Sequence, residues 1–108
     1  MADTVFHKIM RGELPRKLEY EDDDCIVIHP IDPKAPVHLL VIPKKDMENL
    51  ESATNEDQAL LGKLLLVAKA MADKNNIGDG FKIAINNGKK GGQEVFQLHI
   101  HVTGGWKS

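Results

Sequence analysis

The 108-residue chain predicts an α+β fold, and three patterns carry that prediction. Apolar and polar residues alternate from Gln97 to Val102, the period-two signature of a strand with two unlike faces. The β-branched runs Cys25–Ile28 and Val37–Ile42 read as two more strands. Leu60, Leu61, Leu64, Leu65, Ala68 and Met71 recur at three- and four-residue spacing, which makes one apolar stripe on a long helix.

The remaining elements follow in chain order. Phe6, Ile9 and Met10 share one side of a short helix, with Asp3 or Thr4 as cap and Gly12 as stop. Beyond Pro15, Lys17–Tyr20 reads as an edge strand. Glu21-Asp22-Asp23-Asp24 then reads as a solvated hairpin rather than a metal site, because no Gly-containing calcium loop accompanies the carboxylates. Cys25–Ile28 is expected to be a central strand. Three prolines stiffen His29–Pro36, a loop suited to be a ligand wall. Val37–Ile42 ends at Pro43. Thr54 caps the long helix, with acids in its first turn, and Asn75-Asn76-Ile77-Gly78 ends it. All six residues of the stripe are expected in the core. Phe81–Ile85 alternates as a strand, and Lys89-Lys90-Gly91-Gly92 is a loop before the final strand.

Composition narrows the function. An apolar fraction of 42% and a charged fraction of 28% are ordinary for a globular protein. The length suits one domain, residues 1–108. Net charge of -2 offers no dedicated surface for nucleic acid or anionic membrane. No apolar run approaches a membrane span, and Met1-Ala2-Asp3-Thr4 does not open a signal peptide. A lone Cys25, read as a buried structural thiol, fits a reducing compartment, so the expected location is cytoplasmic.

Five histidines direct attention to imidazole chemistry. In the last strand Leu98, Ile100 and Val102 are expected to point into a core, with Gln97, His99 and His101 in a row on the other face. Two imidazoles roughly 7 Å apart can then reach one ligand. A solvent-exposed face that happens to carry histidine accounts for the alternation equally well. His38 gains interest because it could meet that row from a neighbouring strand. Gly91-Gly92, beside Lys89 and Lys90, could offer backbone N–H groups to a phosphate, although a plain flexible turn also fits. No Gly-Lys-Ser/Thr follows, so the loop is not a P-loop.

These residues resemble the histidine-triad (HIT) superfamily in its Hint, or nucleoside phosphoramidase, branch. The family motif alternates three histidines with apolar residues, and here it stands as Gln97-Leu98-His99-Ile100-His101-Val102-Thr103 before Gly104-Gly105. Phe6–Ile9, the acidic hairpin, Ala35–Lys44, Leu60-Leu61-Gly62 and Asn86–Gln93 extend the resemblance over nearly the whole chain. It implies a five-stranded antiparallel sheet with one short N-terminal and one long central helix, paired in a homodimer. It also implies a purine nucleotide ligand of AMP or GMP type. His99 matches the nucleophile, His101 the residue at the α-phosphate and leaving group, and His38 a supporting histidine. Asn86, Gly92, Gln93 and Glu94 match the phosphate site. Pro30 and Ile31 match the ribose pair; Phe6, Ile9 and Ile28 match the base pocket. Gln97 completes the nucleotide-contacting set, and the implied chemistry requires no metal or other cofactor.

Several positions depart from the family pattern. Gln97 stands for the first motif histidine, Pro30 for an acidic ribose ligand, and Glu94 where a hydroxyl is common in some members. Asp32 could replace the ribose carboxylate. The expected function is cleavage of the P–N bond of purine nucleoside phosphoramidates, or of related acyl nucleotides, through a nucleotidyl-His99 intermediate. The alternatives are a nucleotide-binding or partner-binding protein without turnover, and, ranked last, a metal-binding histidine cluster. Gln97→His is expected to change the rate less than about tenfold, since any residue supplies a backbone carbonyl to orient His99.

Overall fold

The computed structural model describes residues 3–107. Helix α1 (Val5–Met10) is followed by β1 (Leu18–Glu21), β2 (Cys25–Ile28) and β3 (Val37–Pro43). Helix α2 (Gln58–Lys74), β4 (Phe81–Ala84) and β5 (Ile100–Gly104) complete the fold. The five strands form one antiparallel sheet in the order β1-β2-β3-β5-β4.

Alternation gives this sheet two apolar faces. Cys25, Val27, Leu39, Val41, Ile100 and Val102 pack with Leu64, Ala68, Met71 and Ala72 of α2. Ile26, Ile28, Leu40 and Ile42 pack with Phe6 and Ile9 of α1. His38 and His101 lie on the face that α1 packs on and line a cavity there. Thr4 caps α1 through a capping box with His7. The acidic turn is a hairpin connection: Asp22 accepts from the backbone N–H groups of Asp24 and Cys25, at 2.8 and 3.0 Å, and Lys63 bridges Asp22 and Asp24.

Cys25–Ile28 is a central strand as expected, buried throughout and paired on both sides, with β3 in the middle of the five. The structure corrects several other expectations. Strand β5 begins at Ile100, so Gln97, Leu98 and His99 run up to the sheet without joining it. The acids after Thr54 belong to a 3-10 turn, Asn55–Asp57, that leads into α2. Leu65 is 47% exposed, and Leu60 and Leu61 are only partly buried, because the sheet-facing line of α2 runs through Leu64, Val67, Ala68 and Met71. The helix ends in the expected Asn75–Gly78 stretch, where Asn76, at φ 61°, takes the left-handed position. Among the described residues no helix is long and apolar enough to cross a membrane.

Candidate functional site

Strand pairing brings three of the five histidines together. Opposite each other in the sheet are Leu40 and His101, and His38 and Thr103. His38 and His101 therefore occupy adjacent strands on one face, offset by two residues. The Nε2 of His38 lies 3.0 Å from Nδ1 of His101. The His99 and His101 ring centroids are 5.0 Å apart, and Phe6 meets His99 edge-on at 5.0 Å. The other two histidines serve elsewhere: His7 bonds Asp46, and His29 bonds Glu19.

Backbone partners assign the tautomers. The Lys34 N–H donates to Nδ1 of His38 at 2.9 Å, so that nitrogen carries the lone pair and Nε2 carries the proton. His38 then donates to Nδ1 of His101, which leaves His101 with its N–H at Nε2. The Nδ1 of His99 faces the carbonyl oxygen of Gln97 at 2.8 Å and must donate to it, leaving an unprotonated Nε2. The cluster so presents one lone pair and one N–H.

Its electrostatics favour the neutral forms. Burial lowers the pKa of His99, partly offset by the Gln97 carbonyl. Burial, then the charges of His99 and His101's other neighbour His38, push His101 down to about 4. Burial and the Lys34 charge lower His38. Each ring keeps its neutral form to lower pH than free histidine does. A nucleophilic imidazole needs that form.

The cluster opens on a cavity of about 670 Å³. Phe6, Ile28, Pro30 and Ile31 line one side of it, with Ile31 84% exposed. Asn86, Gly92 and Glu94 also line it, as do His38, His99 and His101. Three expected residues do not. Ile9 is buried in the core beneath α1. Gln93 is buried, accepting from Gly88 N at 2.8 Å and donating to the carbonyls of Glu48 and Val95 at 2.7 and 3.0 Å. Gln97 is 0% exposed, its amide turned to the Pro43–Met47 segment.

The glycine loop also differs from its expected use. The N–H groups of Gly91 and Gln93 donate to Gly88 O, and that of Gly92 donates to Lys89 O. These donors close the turn on itself, so Gly91-Gly92 forms no open nest for an anion. The Asp32 carboxylate lines the cavity but is paired with Lys34 at 2.6 Å. Sequence reasoning missed Val5, Arg16, Lys34, Lys82 and Trp106 as lining residues. Lys34 had one signal available, its place in the proline-stiffened loop before His38. Arg16 had none, since the bond from its Nη1 to His29 O, 2.8 Å, depends on the β1–β2 pairing.

The model of the HIT domain family matches residues 11–108. An uncharacterised HIT-like protein of Synechocystis is 53% identical over 103 residues, covering 95% of this chain and 90% of that protein. A HIT family hydrolase from Legionella pneumophila is 36% identical with a TM-score of 0.92, covering 95% of this chain and 93% of that one. A HIT family hydrolase from Clostridium thermocellum is 36% identical with a TM-score of 0.94, covering 98% and 93%.

Proposed function

Because the chain belongs to the HIT domain family, and because its cavity holds an unprotonated imidazole nitrogen beside an imidazole N–H, we propose that it is a Hint-type nucleoside phosphoramidase. The purine sits among Phe6, Ile28 and Ile31, and the α-phosphate lies over the histidines. His99 Nε2 attacks phosphorus, the P–N bond breaks, and the nucleotide is held on His99. His101 Nε2–H faces the departing nitrogen. That proton passes to the departing amine, and the water that attacks in the next step returns a proton to His101 Nε2. Water then attacks the nucleotidyl-histidine and releases the monophosphate. These steps draw only on the chain's own groups. Acyl nucleotides can react in the same way.

The observation that carries this reading is the hydrogen-bond chain from Lys34 through His38 to His101, together with the Gln97 carbonyl on His99. The test is incubation with adenosine 5′-phosphoramidate alongside titration with AMP. Turnover to AMP is expected. Binding of AMP without turnover would favour a nucleotide-binding protein that has kept the fold.

The protein is further proposed to act as a homodimer in the cytoplasm. Leu65 and Leu66 of α2 are 47% and 67% exposed, and β4 is a sheet edge with one side unpaired. Light scattering at micromolar concentration should give twice the chain mass; a monomer mass removes the dimer. The Cys25 thiol is free and buried, and burial, followed by the Asp22 charge, pushes it up to about 12, which suits a structural role in a reducing compartment.

A further inference from the structure

Ladder pairing of the sheet stops just short of the nucleophile. The last β3–β5 pair is Val41 with Ile100, and the last β4–β5 pair is Ala84 with His101. Gln97, Leu98 and His99 lie beyond both, so no neighbouring strand holds their backbone. Two anchors replace it. The Leu98 N–H donates to Met47 O at 2.7 Å. The Gln97 amide makes three bonds: Oε1 accepts from Met47 N at 3.0 Å, and Nε2 donates to Pro43 O at 3.0 Å and Lys45 O at 2.8 Å.

We propose that Gln97 is a positioning residue for His99. Its amide pins the one residue whose carbonyl accepts the His99 Nδ1–H, and thereby keeps Nε2 unprotonated and aimed into the cavity. The same clamp reaches the other side of the ring. Asp46, inside the clamped segment, accepts from Nε2–H of His7 at 2.9 Å, and His7 lies on α1 beside Phe6. His7 is itself set in that tautomer by Thr4 N, which donates to its Nδ1 at 3.0 Å. The clamp thus holds both the carbonyl behind His99 and the aromatic edge that packs on it.

A histidine ring at position 97 cannot make all three of these bonds. A neutral histidine has one donor and one acceptor, so it meets Met47 N and one carbonyl and leaves unpaired either the buried Pro43 carbonyl or the part-buried Lys45 carbonyl. A protonated histidine has two donors and no acceptor, which orphans Met47 N–H and buries a charge. The motif position alone predicts less than about a tenfold change for Gln97→His; the three bonds predict a loss of about tenfold or more, through a misplaced attacking atom.

The kinetic consequence rests on the phosphoramidase reading, so the test carries a second readout that does not. Gln97→His and Gln97→Glu are compared with wild type and with Val67→Ala, a buried α2 position packed on the opposite face of the sheet. Gln97→Glu keeps the acceptor for Met47 N and turns a carboxylate oxygen on two carbonyls. The His99 tautomer is read by 15N imidazole NMR, and kcat and KM on adenosine phosphoramidate are measured alongside melting temperature. Wild type and Val67→Ala should show His99 with its proton on Nδ1 and similar kcat, although Val67→Ala melts lower. Both Gln97 variants should show mixed tautomers and a kcat reduced about tenfold or more, with KM within about twofold. A Gln97→His protein that keeps the Nδ1–H signal and a kcat at or above wild type overturns the proposal. If Gln97→His does not fold, Gln97→Glu decides it by the same two readouts. If wild type itself turns over no phosphoramidate, the phosphoramidase reading falls and the tautomer comparison still decides the role of Gln97.

Discussion

His99→Ala is expected to abolish turnover of a nucleoside phosphoramidate, by about 10⁴-fold or more, while AMP binding weakens less than about tenfold. The asymmetry follows from what His99 does in the cavity. Its Nδ1 is committed to the Gln97 carbonyl, and on the proposed route its Nε2 bonds to phosphorus only during reaction. The remaining lining, including Phe6, Ile28, Ile31, His38 and His101, is present in the variant and can still hold a nucleotide. Removing an interaction made only on the way to the transition state lowers kcat and spares ground-state affinity. Rapid quenching in an alkaline denaturant, which preserves a phosphorus–imidazole bond, should detect a labelled nucleotidyl-protein in wild type and none in His99→Ala. Turnover within tenfold of wild type by the variant would show that water attacks directly, and the covalent route would be wrong.

His101→Ala should lose about 10²–10⁴-fold in kcat on an amine leaving group, the range of general acid–base catalysis. The same variant should lose much less on a nucleotide p-nitrophenyl ester, whose leaving group departs as a stable anion. An amide nitrogen expelled from phosphorus is strongly basic and needs a proton, and the only Nε2–H in the cluster that points away from its histidine partner is that of His101. His38→Ala should show a weaker form of this pattern, because it frees His101 Nδ1 and lets the ring adopt the wrong tautomer. Equal losses of His101→Ala on both substrates would mean that the ring binds phosphate without assisting the leaving group. The two variants separate the proposed roles: His99 decides whether a covalent intermediate forms, and His101 decides which leaving groups can depart.

The last segment illustrates how the sequence reading and the structure divide the work. Alternation from Gln97 onward correctly sent Leu98, Ile100 and Val102 into the core against α2. It did not reveal that pairing stops at Ile100, or that Gln97 turns its amide to Pro43, Lys45 and Met47, some fifty residues back in the chain. The resemblance named the three histidines and led to the expectation that the Gln97 carbonyl orients His99, which it does, but the tautomers of His38 and His101 rest on Lys34 N, which no motif specifies. Gly91-Gly92 suggested open donors; the turn uses those N–H groups itself. On α2 the three- and four-residue spacing admitted Leu65 to the stripe, and only the place where the sheet touches the helix excluded it.

Local patterns in the chain were enough to show which residues of the paired strands share a face, where α1 begins, and that the chain is α+β. Those properties depend on local periodicity and on a capping hydroxyl within three residues of its partner. The strand order, with β5 between β3 and β4, follows only from the folded sheet, and with it the meeting of His38 with His101 across 63 residues of chain. The folded sheet also decided which amides and carbonyls remain free. That inventory is settled by the requirement that buried polar groups be paired, and the partners become neighbours only once the sheet has closed around them.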